Sequence, residues 1–379
     1  MVVPAESIHS LIQPIYLDPI QDKTSTVPWL STPPGSSKPL HSQHQDECPD
    51  YLRLILTSAV YDCLEETPLT AAINLSQRLG CQIFLKREDL QPSLTSRVRG
   101  VYNKMASIPF AERWRGVVAY SNGDHAVAVA YAAKLLNMPS IILMLDGVPG
   151  IRDAQCSRLD ATVVICKSEV EALERCQRLQ TENRMAYIPT AHDPYSISGE
   201  ATVGLELVKQ WKRSNISAVF CPSINLDLTA GMAVLLKCVV PETKIIVVEF
   251  SDCTNTPEHT PGRASLALKS FNMVESKKVV HSTQGESYRL CRQYVDESLV
   301  INAKELFEAI HDIYEETRHL VDGAGAMALA GLKKYASTYP KEKRKQLSLC
   351  AIISGANVEF SELSSLTDWN SFRKNKYLL

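Results

Sequence analysis

The stretch Gly116-Val117-Val118-Ala119-Tyr120-Ser121-Asn122-Gly123-Asp124-His125 decides the fold of this chain. Gly116–Tyr120 is a short apolar run with no polar alternation, which suits a strand buried on both faces. A Ser-Asn-Gly turn follows, and then an Ala-rich segment, Asp124–Leu136, that reads as a helix. This strand–turn–helix unit recurs along the chain. Ile83–Lys86, Ser140–Leu145, Thr162–Cys166, Ala218–Cys221 and Lys244–Glu249 read as strands. Tyr51–Asp62, Val98–Ser107, Gly150–Leu159, Ser168–Glu182 and Leu228–Cys238 have apolar residues at helical spacing. The β-α-β-α rhythm predicts an α/β fold with a mostly parallel sheet covered on both faces. Ligands of such folds bind where strands turn into helices. That selects four turns for inspection: 94–99, 121–125, 222–228 and 353–357.

With 379 residues the chain is long enough for two lobes. Net charge is -2, with 45% hydrophobic and 22% charged residues, as in an ordinary globular enzyme. No basic stripe marks a nucleic-acid or anionic membrane surface. The 11 cysteines are irregularly spaced, without C-x-x-C or zinc-ligand patterns, so no metal site is expected. They fit a reducing, cytoplasmic setting, and Cys166, Cys221 and Cys238 read as core. No apolar run reaches membrane-spanning length. Residues 1–48 contain no Arg and no signal-peptide core, and read as a poorly ordered arm around Pro33-Pro34-Gly35.

Six motifs stand in order: Glu65-Glu66-Thr67-Pro68-Leu69-Thr70, Leu85-Lys86-Arg87-Glu88-Asp89-Leu90-Gln91-Pro92, Arg99-Gly100-Val101-Tyr102-Asn103-Lys104-Met105, Thr202-Val203-Gly204-Leu205-Glu206, Ala324-Gly325-Ala326-Met327 and Ser354-Gly355-Ala356-Asn357. On these, residues 51–359 resemble the threonine dehydratases among fold type II pyridoxal-phosphate enzymes. The resemblance implies a tryptophan synthase β-like architecture of two parallel-sheet lobes with a cleft between them. It implies a large lobe of residues 49–96 and 200–379, and an inserted small lobe of residues 97–199. It also implies a homo-oligomer, such as a dimer, and no C-terminal regulatory domain.

Three departures concern the cofactor. The family's Schiff-base lysine falls at Arg97, and a guanidinium stays protonated and cannot act as that amine. Lys104 lies roughly 10 Å further along a helix, too far for a simple exchange. The family's glycine-rich phosphate loop falls at Ile224-Asn225-Leu226-Asp227, where side chains block backbone approach. Asp227 adds a like charge, costing on the order of 4 kcal/mol at about 4 Å in a dielectric near 20. The family's ring-binding Asn falls at Asp124, whereas Ser354, which meets the pyridine nitrogen in the family, is retained. Pyridoxal phosphate is therefore expected to be absent.

Each candidate has two readings. Arg97 is either a hydrogen-bond donor to substrate or the buried partner of Asp124 or Asp227. Asp124 and His125 form an acid/base pair, or Asp124 caps its helix and His125 is structural. Asn225 and Asp227 recognise substrate or cap the next helix. Ile224 and Leu226 make the old phosphate site apolar for a greasy ligand, or merely pack the loop. Ser121, Asn122 and Ser354 complete the expected substrate-binding set, around a cavity expected to admit a drug-sized molecule. The function expected is a cofactor-free enzyme acting on a hydrophobic small molecule. A Diels–Alder-type cyclase of natural-product synthesis fits, similar to a norbornene-forming enzyme of a terpenoid pathway. The alternatives are a catalytically dead regulatory partner of an active dehydratase, or a pyridoxal-phosphate ammonia-lyase using another lysine.

Overall fold

The structure is a computed structural model, and it describes residues 49–147, 150–211, 216–250 and 285–372. The arm expected at residues 1–48 lies outside the described residues. Among the described residues, ten strands form two sheets. They are β1 (Leu69–Ala71), β2 (Gln82–Arg87), β3 (Val117–Tyr120), β4 (Ser140–Leu145), β5 (Thr162–Cys166), β6 (Ala186–Tyr187), β7 (Ala218–Pro222), β8 (Lys244–Phe250), β9 (Glu297–Ile301) and β10 (Ser348–Ile353). The larger sheet has the order β1-β2-β10-β7-β8-β9 and the smaller β5-β4-β3-β6. Every pairing is parallel except β1 with β2. The strands of residues 69–87 and 218–353 thus share one sheet, and those of residues 117–187 the other.

The continuous apolar runs are explained by what each face meets. All six residues of β10 are buried. Leu349, Ala351 and Ile353 join one core, while Cys350 and Ile352 join another on the opposite face. The same alternation divides Val117 and Ala119 from Val118 and Tyr120 on β3. A period of two splits such a run between two helix layers, so both of its faces are apolar. Among the described residues, no helix is long and apolar enough to cross a membrane.

Seven helices matter below: α1 (Arg97–Ala106), α2 (Asp124–Leu135), α3 (Gly150–Arg158), α4 (Pro194–Glu200), α5 (Leu226–Val239), α6 (Glu286–Tyr294) and α7 (Gly323–Ser337). Two local readings change. Tyr51–Asp62 is not one helix but an α-turn, Tyr51–Leu56, and a 3-10 turn, Ala59–Asp62, separated at Thr57 and Ser58. Helix α5 starts two residues earlier than expected, because Asn225 caps it by accepting the Leu228 N–H.

Candidate active site

Helix α1 opens directly on Arg97, at the start of the segment that leaves β2. Its Nη1 donates to the Thr190 carbonyl at 3.2 Å, and its Nη2 to the Ile224 carbonyl at 2.8 Å. Thr190 follows β6 of the smaller sheet, and Ile224 follows β7 of the larger. The guanidinium therefore ties together the two segments that border the cleft. Among the described residues it makes no ion pair with Asp124 or Asp227, which corrects the buried-partner reading. Backbone carbonyls, not carboxylates, satisfy it.

Two helices meet beside Arg97 because glycines let them. A Cβ on Gly199 would lie 2.5 Å from the Arg99 carbonyl, and one on Gly100 2.7 Å from the Ser196 carbonyl. Only hydrogen fits at that crossing of α1 and α4, so the two backbones touch. The crossing carries Ser196 and Glu200, one helical turn apart on α4, to the Arg97 side. Together with His125, Thr190 and Asn225 these residues border a cavity of about 10 Å³. That is room for about one water molecule. At this place the expected cavity for a drug-sized molecule is not found.

A chain of polar groups leads into the cavity. Ser354 Oγ accepts the Ser96 N–H at 3.0 Å and donates to Ser96 Oγ at 3.1 Å. Asn225 Nδ2 donates to Ser96 Oγ and, at 2.9 Å, to Glu200 Oε1. Asn225 thus caps α5, as one of its readings expected, and also lines the cavity. Among the described residues, Glu200 Oε2 and Ser196 Oγ are buried without a hydrogen-bond partner. Burial pushes the Glu200 carboxyl up to about 7, against the pull of Asn225 and Arg97. Asp227 also borders the cavity, but it does not cap α5. Its Oδ1 accepts the His192 N–H at 2.9 Å and the Ser287 hydroxyl of α6. Burial raises this carboxyl as well.

The remaining candidates fall elsewhere. Asp124 is the first residue of α2, preceded by Gly123 with no side-chain cap, so the capping reading fails. It accepts from Asn357 Nδ2 at 3.0 Å, and Asn357 Oδ1 accepts from Gln155 of α3. His125 faces away from Asp124: its Nε2 meets the Ile188 carbonyl at 3.1 Å, and burial lowers its pKa to about 3. A neutral ring donating to a carbonyl leaves no acid/base pair. Ser121 Oγ accepts the Gly123 N–H and Asn122 Oδ1 the Leu145 N–H, so both shape the turn. Ile224 packs against the core beneath the larger sheet, and Leu226 against the one beside Ile197 and Leu235. The loop-packing reading is the correct one for both. Glu200, Ser196 and Ser287 were not anticipated. The available signal was a carboxylate set among Ser196, Ser198, Gly199 and Ala201, small residues that mark a closely packed helix.

A family profile described as "Pyridoxal-phosphate dependent enzyme" matches residues 60–354. The chain belongs to that family. It is 42% identical over 329 residues to the threonine dehydratase-like protein AKTS1-1 of Alternaria alternata, covering 86% of this chain and 80% of that one. It is 37% identical to the mitochondrial threonine dehydratase of Saccharomyces cerevisiae, over 85% of this chain but 57% of the yeast protein. The chain therefore spans little more than half of that enzyme. The processed threonine deaminase isoform 2 of Solanum lycopersicum superposes with a TM-score of 0.72 at 33% identity, over 84% of this chain and 91% of that one. Maize serine racemase, at 22% identity and a TM-score of 0.70, shares the fold.

The residues present do not fit the family's cofactor. Where the resemblance places the lysine stands a guanidinium with two carbonyl partners. The other amines nearby are engaged: Lys86 is buried on Glu206 and the Thr67 carbonyl, and Lys104 pairs with Asp193 at 2.7 Å. At the N-terminus of α5, where a phosphate would gain from the helix dipole, Asn225 takes the Leu228 N–H and a buried Asp227 adds negative charge. Ser354 spends its hydroxyl on Ser96.

Proposed function

We propose that this member of the family is an enzyme that works without pyridoxal phosphate, most simply an intramolecular cyclase of an apolar substrate. The observation that carries this reading is Arg97. It stands in the lysine position as a fixed cation, and two of its N–H groups hold the cleft-bordering loops, leaving others to donate. A fixed donor polarises a conjugated carbonyl, and holding a flexible chain in a reactive fold removes an entropic barrier. A cycloaddition of a diene to a carbonyl-activated alkene needs nothing more. Three π bonds become one π bond and two C–C σ bonds, with no proton, electron or atom lost. The kinship with a threonine dehydratase-like protein, AKTS1-1, is consistent with a scaffold put to another use.

The test is turnover of a hydrophobic triene in which a diene is tethered to an enone. Wild type is expected to accelerate cyclisation and to favour one stereoisomer. Arg97→Ala is expected to slow it by about 10²–10³-fold, the range for loss of one oxyanion donor, with the fold retained by circular dichroism. Equal rates for wild type and buffer would discard the cyclase.

A second reading is favoured by one observation, the water-sized cavity of about 10 Å³. A chain without turnover that regulates an active dehydratase needs no larger space. Co-elution of the two proteins in size-exclusion chromatography, together with no cyclisation, would select it.

A further inference from the structure

We propose that the cavity among Arg97, Ser196 and Glu200 is a subsite for one uncharged oxygen, held by Glu200 as hydrogen-bond donor. In the free protein that oxygen is water. On the cofactor-free reading, on which this step rests for its functional meaning, it is the carbonyl or hydroxyl oxygen of the substrate.

The size of the space sets the first limit. At about 10 Å³ it takes one oxygen atom and no carbon skeleton. Its walls set the second. Glu200 is 2% exposed and Ser196 5%, yet Glu200 Oε2 and Ser196 Oγ have no hydrogen-bond partner among the described residues. Two residues that line one small cavity and each carry an unpartnered polar atom point to a hydration site, since buried polar groups are otherwise satisfied. Glu200 Oε1 is already fixed by Asn225 at 2.9 Å, so the carboxyl cannot turn away to find another partner.

Charge sets the third limit. The ionisable groups that border the cavity are Arg97 from α1, His125 from α2, Glu200 from α4 and Asp227 from α5. The His125 ring is neutral near pH 7. A carboxylate or phosphate ligand would meet two buried acids, and an ammonium ligand would meet the guanidinium. A neutral oxygen meets neither penalty. Burial keeps the Glu200 proton on up to a pH of about 7, so below that pH the carboxyl donates from the unpartnered oxygen. Arg97 and the Asn225 amide hold that value down, which leaves Glu200 able to switch between donor and acceptor near neutrality.

Two measurements on the full chain, neither using turnover, test this. The first is the carboxylic acid C=O stretch in the infrared, from pH 5.5 to 8.5. Glu249 and Asp322 are also pushed to about 7, so the readout is the wild-type minus Glu200→Gln difference. That difference is expected to show one protonated carboxyl disappearing near pH 7. Its absence at pH 5.5 would overturn the proposal. In Arg97→Gln the midpoint is expected to rise, and an unmoved midpoint would break the claimed Arg97–Glu200 coupling. The second is a crystal structure of the wild type at a resolution that shows ordered water. One water within hydrogen-bond distance of Glu200 Oε2 and Ser196 Oγ is expected, and lost in Ser196→Ala. A dry cavity in the wild type would overturn the subsite. Failure of the cyclisation assay would leave both results standing, and their failure would leave that assay standing.

Discussion

Helix α1 separates two buried clusters of charge, and only one of them is complete. Arg97 and Arg99 are two residues apart, about 200° around the helix, so they face opposite ways. On the Arg99 side, Lys86, Glu88, Arg99 and Glu206 are buried together, two cations with two carboxylates. Arg99 reaches Glu88 at 2.7 Å and Glu206 at 2.6 Å, and Thr67 donates to Glu88. On the Arg97 side, one guanidinium rests on carbonyls while Glu200 and Asp227 are buried without a cation in contact. The same helix thus carries a neutralised structural knot and an unneutralised polar cavity. Their carboxyls titrate in opposite senses: the Glu88 carboxyl lies below the usual range, held there by Arg99 against the opposing effect of burial, and the Glu200 carboxyl lies above it. Pairing marks the part that holds the fold. Missing pairing marks the part that can do chemistry.

The largest effect expected comes from breaking the complete cluster. Glu206→Ala leaves Lys86 and Arg99 buried with one carboxylate fewer, at a cost of about 3–5 kcal/mol. Chemical denaturation should show that loss, and a change below about 1 kcal/mol would mean that the knot holds nothing.

Next comes the pH dependence of the incomplete cluster. Glu200 has a raised pKa in the folded chain, about 7 against an ordinary value of 4.5. Between those two values the native state binds more protons than the unfolded one, so stability falls as pH rises. Glu200→Gln is expected to match the wild type near pH 4.5 and to exceed it by on the order of 3 kcal/mol at pH 8. Parallel stability curves for the two proteins across that range would remove Glu200 from the account. Glu88 behaves oppositely: its stabilisation is present above the unfolded pKa and is lost as pH falls through its lowered value.

A smaller effect is expected where the two clusters are joined. Gly199→Ala places a methyl group 2.5 Å from the Arg99 carbonyl, so α1 and α4 must part. Overpacking of this kind costs about 1–3 kcal/mol. The Arg97–Ile224 hydrogen bond should lengthen with it, which a structure of the variant would show.

Six strands were legible as short apolar runs, as in Val117–Tyr120, whereas β1, β6, β9 and β10 were not read as strands. The helix that begins at Arg97 was legible, since Val98–Ser107 has helical spacing, and its Lys104 pairs with Asp193. Partners were not legible. Arg97 was read either as a donor to substrate or as the partner of Asp124 or Asp227, and it rests on the carbonyls of Thr190 and Ile224, because main-chain acceptors leave no trace in side-chain sequence. Asp227 was taken for a cap, but Asn225 two residues earlier occupies that role. Glu200 went unseen since its meeting with Arg97 depends on a glycine crossing about a hundred residues apart in sequence, Gly100 against Gly199.

The central claim of the proposed reading is that Arg97 and the side chains at the head of α5 together exclude pyridoxal phosphate. The most direct measurement is the visible absorption spectrum of the purified protein with added pyridoxal phosphate, with borohydride reduction and peptide mapping. The account predicts no internal aldimine band and no reduced cofactor on any lysine, in the wild type and also in Arg97→Lys, because Asn225 and Asp227 still occupy the phosphate site. An aldimine in the wild type would contradict it outright.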